Sequence, residues 1–202
     1  FFTHDYAHVT GGRWLIPMRC RRLHFRATPT VMIVRDPIDT AVSMYFQQTR
    51  REGHLNDIDL YDFVKLGKGG LVTIVEFMNF WARELPSINR HLIVRYEDLF
   101  TSPLEKFAEI VHFFRLEFDL EDLQAAVEFA RYENLQALEK AGELSDWRFS
   151  IGAENDEDHL KVRRGKVGGY HDYFSAEQCA ELEKFVDAAL DPVYGYGERR
   201  SD

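Results

Sequence analysis

The chain has 202 residues, of which 45% are hydrophobic and 29% charged, a composition that excludes a disordered polymer and suffices for one domain with a substantial core. A net charge of −9 argues against general nucleic-acid binding, which needs a basic face against the phosphates. No apolar run approaches the roughly 20 residues of a membrane span. The opening Phe1-Phe2-Thr3-His4, with polar residues following at once, does not read as a signal peptide. Two cysteines outside any CxxC motif, Cys20 and Cys179, read as reduced thiols of a cytoplasmic protein.

Phe1-Phe2-Thr3 reads as the tail of a buried strand, so the chain is expected to be a fragment with further sequence in front of it. The next strand signals are the apolar runs Val31-Met32-Ile33-Val34 and Leu92-Ile93-Val94. Neither alternates with period 2, which predicts strands covered on both faces, the usual state of a parallel sheet. Between them the pattern predicts helices over 37–51, 60–66 and 71–85. The first has Asp36 as N-cap and Pro37 in its first turn. The third carries Ile74, Phe77, Met78 and Trp81 at helical spacing and stops at Pro86. A helix from Leu104 to about Phe114 presents Phe107, Ile110, Val111 and Phe114. Helical pattern follows over 120–130 and 132–140, and a last helix over 176–190 starts from Ser175. This order predicts one α/β domain over residues 1–202, with helices flanking a central parallel sheet.

Three groups of residues could carry chemistry. Arg35 stands at the carboxyl end of the first strand, where open α/β sheets bind ligands. Ser43 lies about two turns into the following helix, so a guanidinium and a hydroxyl could converge on one anion. The alternative is a surface Arg–Asp pair beside a surface Ser. Arg163-Arg164-Gly165-Lys166-Val167-Gly168-Gly169 places three cations among three glycines, where backbone amides can approach an anion closely. It could equally be a solvated basic loop balancing the acidic stretch Glu154–Asp158. Tyr96 and Tyr132, each followed by Glu, could flank a purine ring or simply pack in the core.

Taken together, Val31 through Tyr45 closely resembles the 3′-phosphate-binding strand and helix of sulfotransferases that use 3′-phosphoadenosine 5′-phosphosulfate (PAPS). Val94-Arg95-Tyr96-Glu97-Asp98-Leu99 is similar to that family's Tyr-Glu-Asp strand end, and Arg163 to Gly168 to its Arg-Lys-Gly-x-x-Gly loop. Tyr173-Phe174-Ser175 resembles the Phe-Thr/Ser that follows, and Tyr132 to Leu135 the family's Phe-Glu-x-Met segment. The resemblance implies a three-layer α/β/α fold of the P-loop NTPase-like type, and sulfuryl transfer from PAPS to a hydroxyl or amine of a small-molecule acceptor, without a metal. It implies that Arg35, Ser43, Arg163, Arg164 and Gly165 hold the 3′-phosphate and that Tyr96 and Tyr132 contact adenine. His4, in Thr3-His4, matches the end of the family's Lys-Thr-His motif and would be the general base.

Departures accompany the match. The family's Pro-Lys-x-Gly-Thr-Thr-type 5′-phosphosulfate loop occurs nowhere in these residues and would lie upstream of Phe1. Phe2 replaces the motif's Lys, and Gly169-Tyr170 stands where Asp-Trp is usual. The chain alone is therefore expected to be N-terminally truncated and weakly active, since anchoring donors at the transferring group are often the largest catalytic contribution. No clear Lys-x-x-x-Thr-Val dimer motif is present, which leaves the oligomeric state open. A non-catalytic nucleotide-binding fragment and a small-molecule kinase of related fold are the rival readings. The acidic and basic halves of the segment from about Ser150 to Lys166 predict little order before an anion binds. Hydrogen exchange on the nucleotide-free protein should find little protection there, and strong protection would contradict the expectation.

Overall fold

The computed structural model of the chain describes residues 25–51, 58–66, 69–141, 143 and 166–197. Strands β1 (Thr30–Val34) and β2 (His91–Arg95) pair in parallel, in register from Thr30 opposite His91 to Val34 opposite Arg95. Parallel neighbours need a long crossover. Here it contains α1 (Pro37–Phe46), α2 (Leu60–Leu66) and α3 (Leu71–Glu84). After β2 come α4 (Tyr96–Thr101), α5 (Pro103–Phe113), α6 (Leu120–Phe129), α7 (Tyr132–Ala141) and α8 (Ala176–Ala189). Helices around a parallel sheet make this an α/β fold, as the strand and helix pattern predicts.

Local chemistry sets the element boundaries. The Asp36 carboxylate accepts from the amides of Ile38 (2.8 Å) and Asp39 (3.2 Å), and Pro37 fills the first turn, so α1 starts where it must. The predicted helix to residue 51 is α-helical only to Phe46, and Gln47–Arg51 continues as a π-turn. At that junction the Thr49 hydroxyl donates to the Tyr45 carbonyl at 2.8 Å, competing with the regular backbone bond. Ser175 and Gln178 form a reciprocal capping box at the start of α8. Before α3 the chain turns at Gly69 with φ +86°, and a Cβ there would come within 3.0 Å of the Gln48 side chain. Only glycine suits that turn.

The main core lies on one side of the sheet. Met32, Val34 and Ile93 face it, together with Ile38, Phe63, Val64, Leu71, Met78, Leu182 and Val186 from α1, α2, α3 and α8. By strand alternation Val94 faces the other side. It is buried outside that cluster, and α5 packs against β2. Ile33 shares this second side of β1 but is 56% exposed. Among the described residues, the expectation of β1 covered on both faces is thus met on one face only. The α5 stripe departs in the same direction. Val111 is buried, but Phe107 and Ile110 are half-buried and Phe114 is 41% exposed.

The C-terminal segment closes the core. Asn79 accepts from the Asp191 amide at 2.7 Å and donates to the Ala189 carbonyl at 2.6 Å. Tyr194 is almost wholly buried and donates to the Met78 carbonyl at 2.7 Å, so its hydroxyl is satisfied. Burial, followed by the charge of Asp191, raises the Tyr194 phenol above its ordinary value of 10.0. Burial raises Tyr196 likewise, with a hydrogen bond to Glu97 as the next cause. Below about pH 10 both phenols are neutral in the folded and unfolded chain alike. Above it only the unfolded chain ionises them, so stability falls as pH rises, by about 1.4 kcal/mol per pH unit for each phenol. Denaturant titrations from about pH 9 to about pH 11 should show this loss, with a shallower slope for Tyr196→Phe. A pH-independent stability over that range would contradict the burial argument.

Candidate functional site

The carboxyl ends of β1 and β2 meet in a compact polar cluster. Glu97, one residue into α4, accepts from the Asp36 amide at 2.8 Å through one oxygen and from the Tyr196 hydroxyl at 2.6 Å through the other. One carboxylate therefore ties the start of α1 to the end of β2 and to the C-terminal segment. The Arg95 guanidinium lies 5.4 Å from the Tyr196 ring centroid, and it donates to the Gly195 carbonyl and Asp98 carboxylate, both at 3.3 Å. This frame holds the residues between the two strand ends.

Arg35 leaves β1 directly into that space. Its guanidinium stacks over the Tyr96 ring, 4.8 Å from the centroid, a favourable cation–π contact. Its other contacts are long: 3.4 Å to the Lys166 carbonyl and 3.7 Å to the Asp39 carboxylate. Its buried Nε has no hydrogen-bond partner among the described residues. The side chain keeps 31% of its surface exposed. Here is an arginine positioned on three sides by a stacked ring and long contacts, with its Nε unpaired among the described residues, the condition in which it could take a charged acceptor.

Asp39 sits in the first turn of α1 and is 3% exposed. Its two oxygens accept from the amides of Gly168 (2.8 Å) and Tyr170 (3.0 Å), which docks the end of the glycine-rich loop on α1. Gly168 occupies the left-handed region at φ +66° as the loop enters the turn Gly169–Asp172. Lys166 pairs with Asp172 at 2.7 Å. Tyr170, in place of the family's Trp, is buried and donates to Glu183 on α8 at 2.7 Å, so the aromatic anchor is kept.

Among the residues singled out from sequence, Arg35 and Tyr96 are brought into direct contact, and the Gly168–Gly169 end of the loop is brought beside them. With the guanidinium on one face of Tyr96, only its other face, edge and hydroxyl could meet a purine. Ser43 is exposed on α1, one turn beyond Asp39, and Tyr132 opens α7 with its hydroxyl accepting from Gln136 at 2.7 Å. Neither Ser43 nor Tyr132 enters the described contacts of the cluster. His4, Arg163, Arg164, Gly165 and Cys20 lie outside the described residues, as does most of the segment from Ser150 to Lys166. Sequence reasoning missed Asp39, Glu97 and Tyr196 as organisers. Asp39 could have been found four residues after Arg35, in the first turn of the helix that Asp36 caps, but nothing near Tyr196 marks it. An open cleft of about 500 Å³ between α5 and α6 is lined by no member of the cluster, and its Arg131 is already paired with Glu128 at 2.7 Å.

The sulfotransferase domain family model matches residues 20–193. The chain belongs to the sulfotransferase family. It is 27% identical over 177 residues to cytosolic sulfotransferase 16 of Arabidopsis thaliana, covering 79% of this chain and 51% of that protein. Cytosolic sulfotransferase 14 of the same plant is 26% identical over 178 residues, covering 80% and 49%. A crystal structure of retinol dehydratase in complex with androsterone and the inactive cofactor PAP superimposes with a TM-score of 0.63 at 26% identity, covering 81% of this chain and 47% of that one. A mouse sulfotransferase complexed with PAP shares the fold, with a TM-score of 0.58 at 16% identity over 80% of this chain and 57% of that chain. The chain spans about half the length of the curated relatives it matches. Among the described residues, no helix is long and apolar enough to cross a membrane.

Glu97→Ala should leave the Asp36 amide and the Tyr196 hydroxyl without their shared acceptor, at a cost of about 1–3 kcal/mol. Chemical denaturation checks it, and an unchanged midpoint would mean that the bridge carries no stability.

Proposed function

We propose that the protein is a sulfotransferase that takes a sulfuryl group from PAPS and passes it to a hydroxyl or amine of a small-molecule acceptor in the cytoplasm. The observation that carries this reading is the state of Arg35. It projects from the end of a parallel strand, rests on Tyr96, and keeps a buried Nε without a partner among the described residues. A phosphate fits that donor set, because a guanidinium presents paired N–H groups in the geometry of two anionic oxygens. Family membership and the PAP named in the related crystal structures support the same nucleotide.

In this reading Arg35 and Ser43 bind the 3′-phosphate, with Arg163, Arg164 and Gly165 joining from the loop. Tyr96 and Tyr132 contact the adenine. PAPS, when bound, supplies the sulfuryl group and leaves as its 3′,5′-bisphosphate. His4 removes the proton from the acceptor hydroxyl or amine as that atom bonds to sulfur, a step suited to a neutral imidazole. No metal takes part. Which acceptor is used depends on residues beyond this cluster.

The test is calorimetry with 3′-phosphoadenosine 5′-phosphate against 5′-AMP, which lacks the 3′-phosphate. The bisphosphate should bind more tightly. Removing a hydrogen bond to a charged group costs about 1.5–3 kcal/mol, so Arg35→Ala should weaken bisphosphate binding roughly 10- to 150-fold and leave 5′-AMP nearly unchanged. Equal affinity of the unaltered protein for both nucleotides would overturn the assignment.

A further inference from the structure

We propose that Asp39 is the positioning residue of the 3′-phosphate site, a buried carboxylate that sets Arg35 and the Lys166–Tyr170 segment in one fixed relation. The inference rests on the reading of Arg35 as the phosphate ligand. It begins from a buried charge: Asp39 is 3% exposed, and a carboxylate in that position is tolerated only when its oxygens are fully used. Oδ2 accepts the Gly168 amide at 2.8 Å and faces Arg35 Nη2 at 3.7 Å. Oδ1 accepts the Tyr170 amide at 3.0 Å. The same Arg35 nitrogen donates to the Lys166 carbonyl at 3.4 Å. The contacts close a ring from Arg35 to Asp39, to the backbone of Gly168, back through Lys166 to Arg35.

The ring joins parts of the chain that are distant in sequence and that also meet in the core, where Tyr170 lies with Ile38 and Phe46. Gly168 and Tyr170 lie 129 and 131 residues from Asp39, so no local geometry holds them together. The arrangement also requires a carboxylate. Two backbone N–H donors approach two different oxygens, and an Asn amide would turn an NH₂ toward one of them. At 3.7 Å the Arg35 contact is loose enough to yield to a second acceptor while the charge still keeps the guanidinium in place. Asp39 touches no nucleotide in this account. It acts through Arg35, by holding the guanidinium over Tyr96 where a phosphate would find it preorganised.

The experiment uses the full chain and measures the affinity ratio of 3′-phosphoadenosine 5′-phosphate to 5′-AMP by calorimetry. Asp39→Asn should reduce that ratio roughly tenfold, mostly through the bisphosphate. The Asp39→Asn/Arg35→Ala double variant should lose no more than Arg35→Ala alone, because the two residues act in series. Ser175→Ala, which removes the cap of α8 and lowers stability away from the cluster, should leave the ratio unchanged. An unchanged ratio in Asp39→Asn, additive losses in the double variant, or an equal fall in Ser175→Ala would overturn the role of Asp39. A protein with no preference for the bisphosphate at the outset would instead overturn the reading of Arg35, so the two failures are distinct. Should Asp39→Asn not fold, hydrogen exchange on the unaltered protein decides. The bisphosphate but not 5′-AMP should slow exchange of the Gly168 and Tyr170 amides several-fold, and no difference between the two nucleotides would overturn the proposal.

Discussion

The hydrogen bond from the Asp36 amide to the Glu97 carboxylate joins two strand ends that lie 61 residues apart in the chain. Much of the cluster depends on it. Asp36 is also the residue whose side chain starts α1, and the other Glu97 oxygen holds Tyr196. The helix start, the end of β2 and the C-terminal segment therefore share one carboxylate. Parallel pairing aligns the strands but leaves their carboxyl ends open, which is why α/β folds place their ligands there. Glu97 closes the frame on one side of that opening, and Asp39 docks the glycine-rich loop on the other.

Two buried or half-buried carboxylates at the mouth of the site proposed for an anionic nucleotide look contradictory, all the more in a chain of net charge −9. The geometry resolves it. Both Asp39 oxygens are taken up by backbone amides, and both Glu97 oxygens by an amide and a phenol. These protein donors offset the carboxylate charge locally, while the guanidinium of Arg35 keeps an exposed side. Local donor geometry outweighs net charge at this range, because exposed charges farther than a Debye length of about 10 Å are largely screened.

Much of the fold was legible because its signals are local. The two apolar runs became the paired strands, Asp36 with Pro37 and Ser175 began the helices they were expected to begin, and Pro86 fell just past the end of α3. Where the reading failed, a side chain's environment rather than its type decided. Ile33 and Phe114 are as apolar as their neighbours, yet what covers a face depends on elements elsewhere in the chain. The helical reading to residue 51 likewise missed the π-turn, since Thr49 has two ways to bond the Tyr45 carbonyl and the pattern of residues does not distinguish them.

By itself the sequence determined the family, the order of elements and the identity of Arg35 and Tyr96 as residues at strand ends, because motif spacing and helix caps are set by neighbours in the chain. It could not show that Arg35 stacks on Tyr96, that Asp39 rather than a surface partner shares its charge, or that Tyr196 reaches Glu97 across 99 residues. Those are contacts between distant segments. Their partners are chosen by the packing of β1 against β2 and of α8 against the core, and only the tertiary structure brings them within hydrogen-bonding distance.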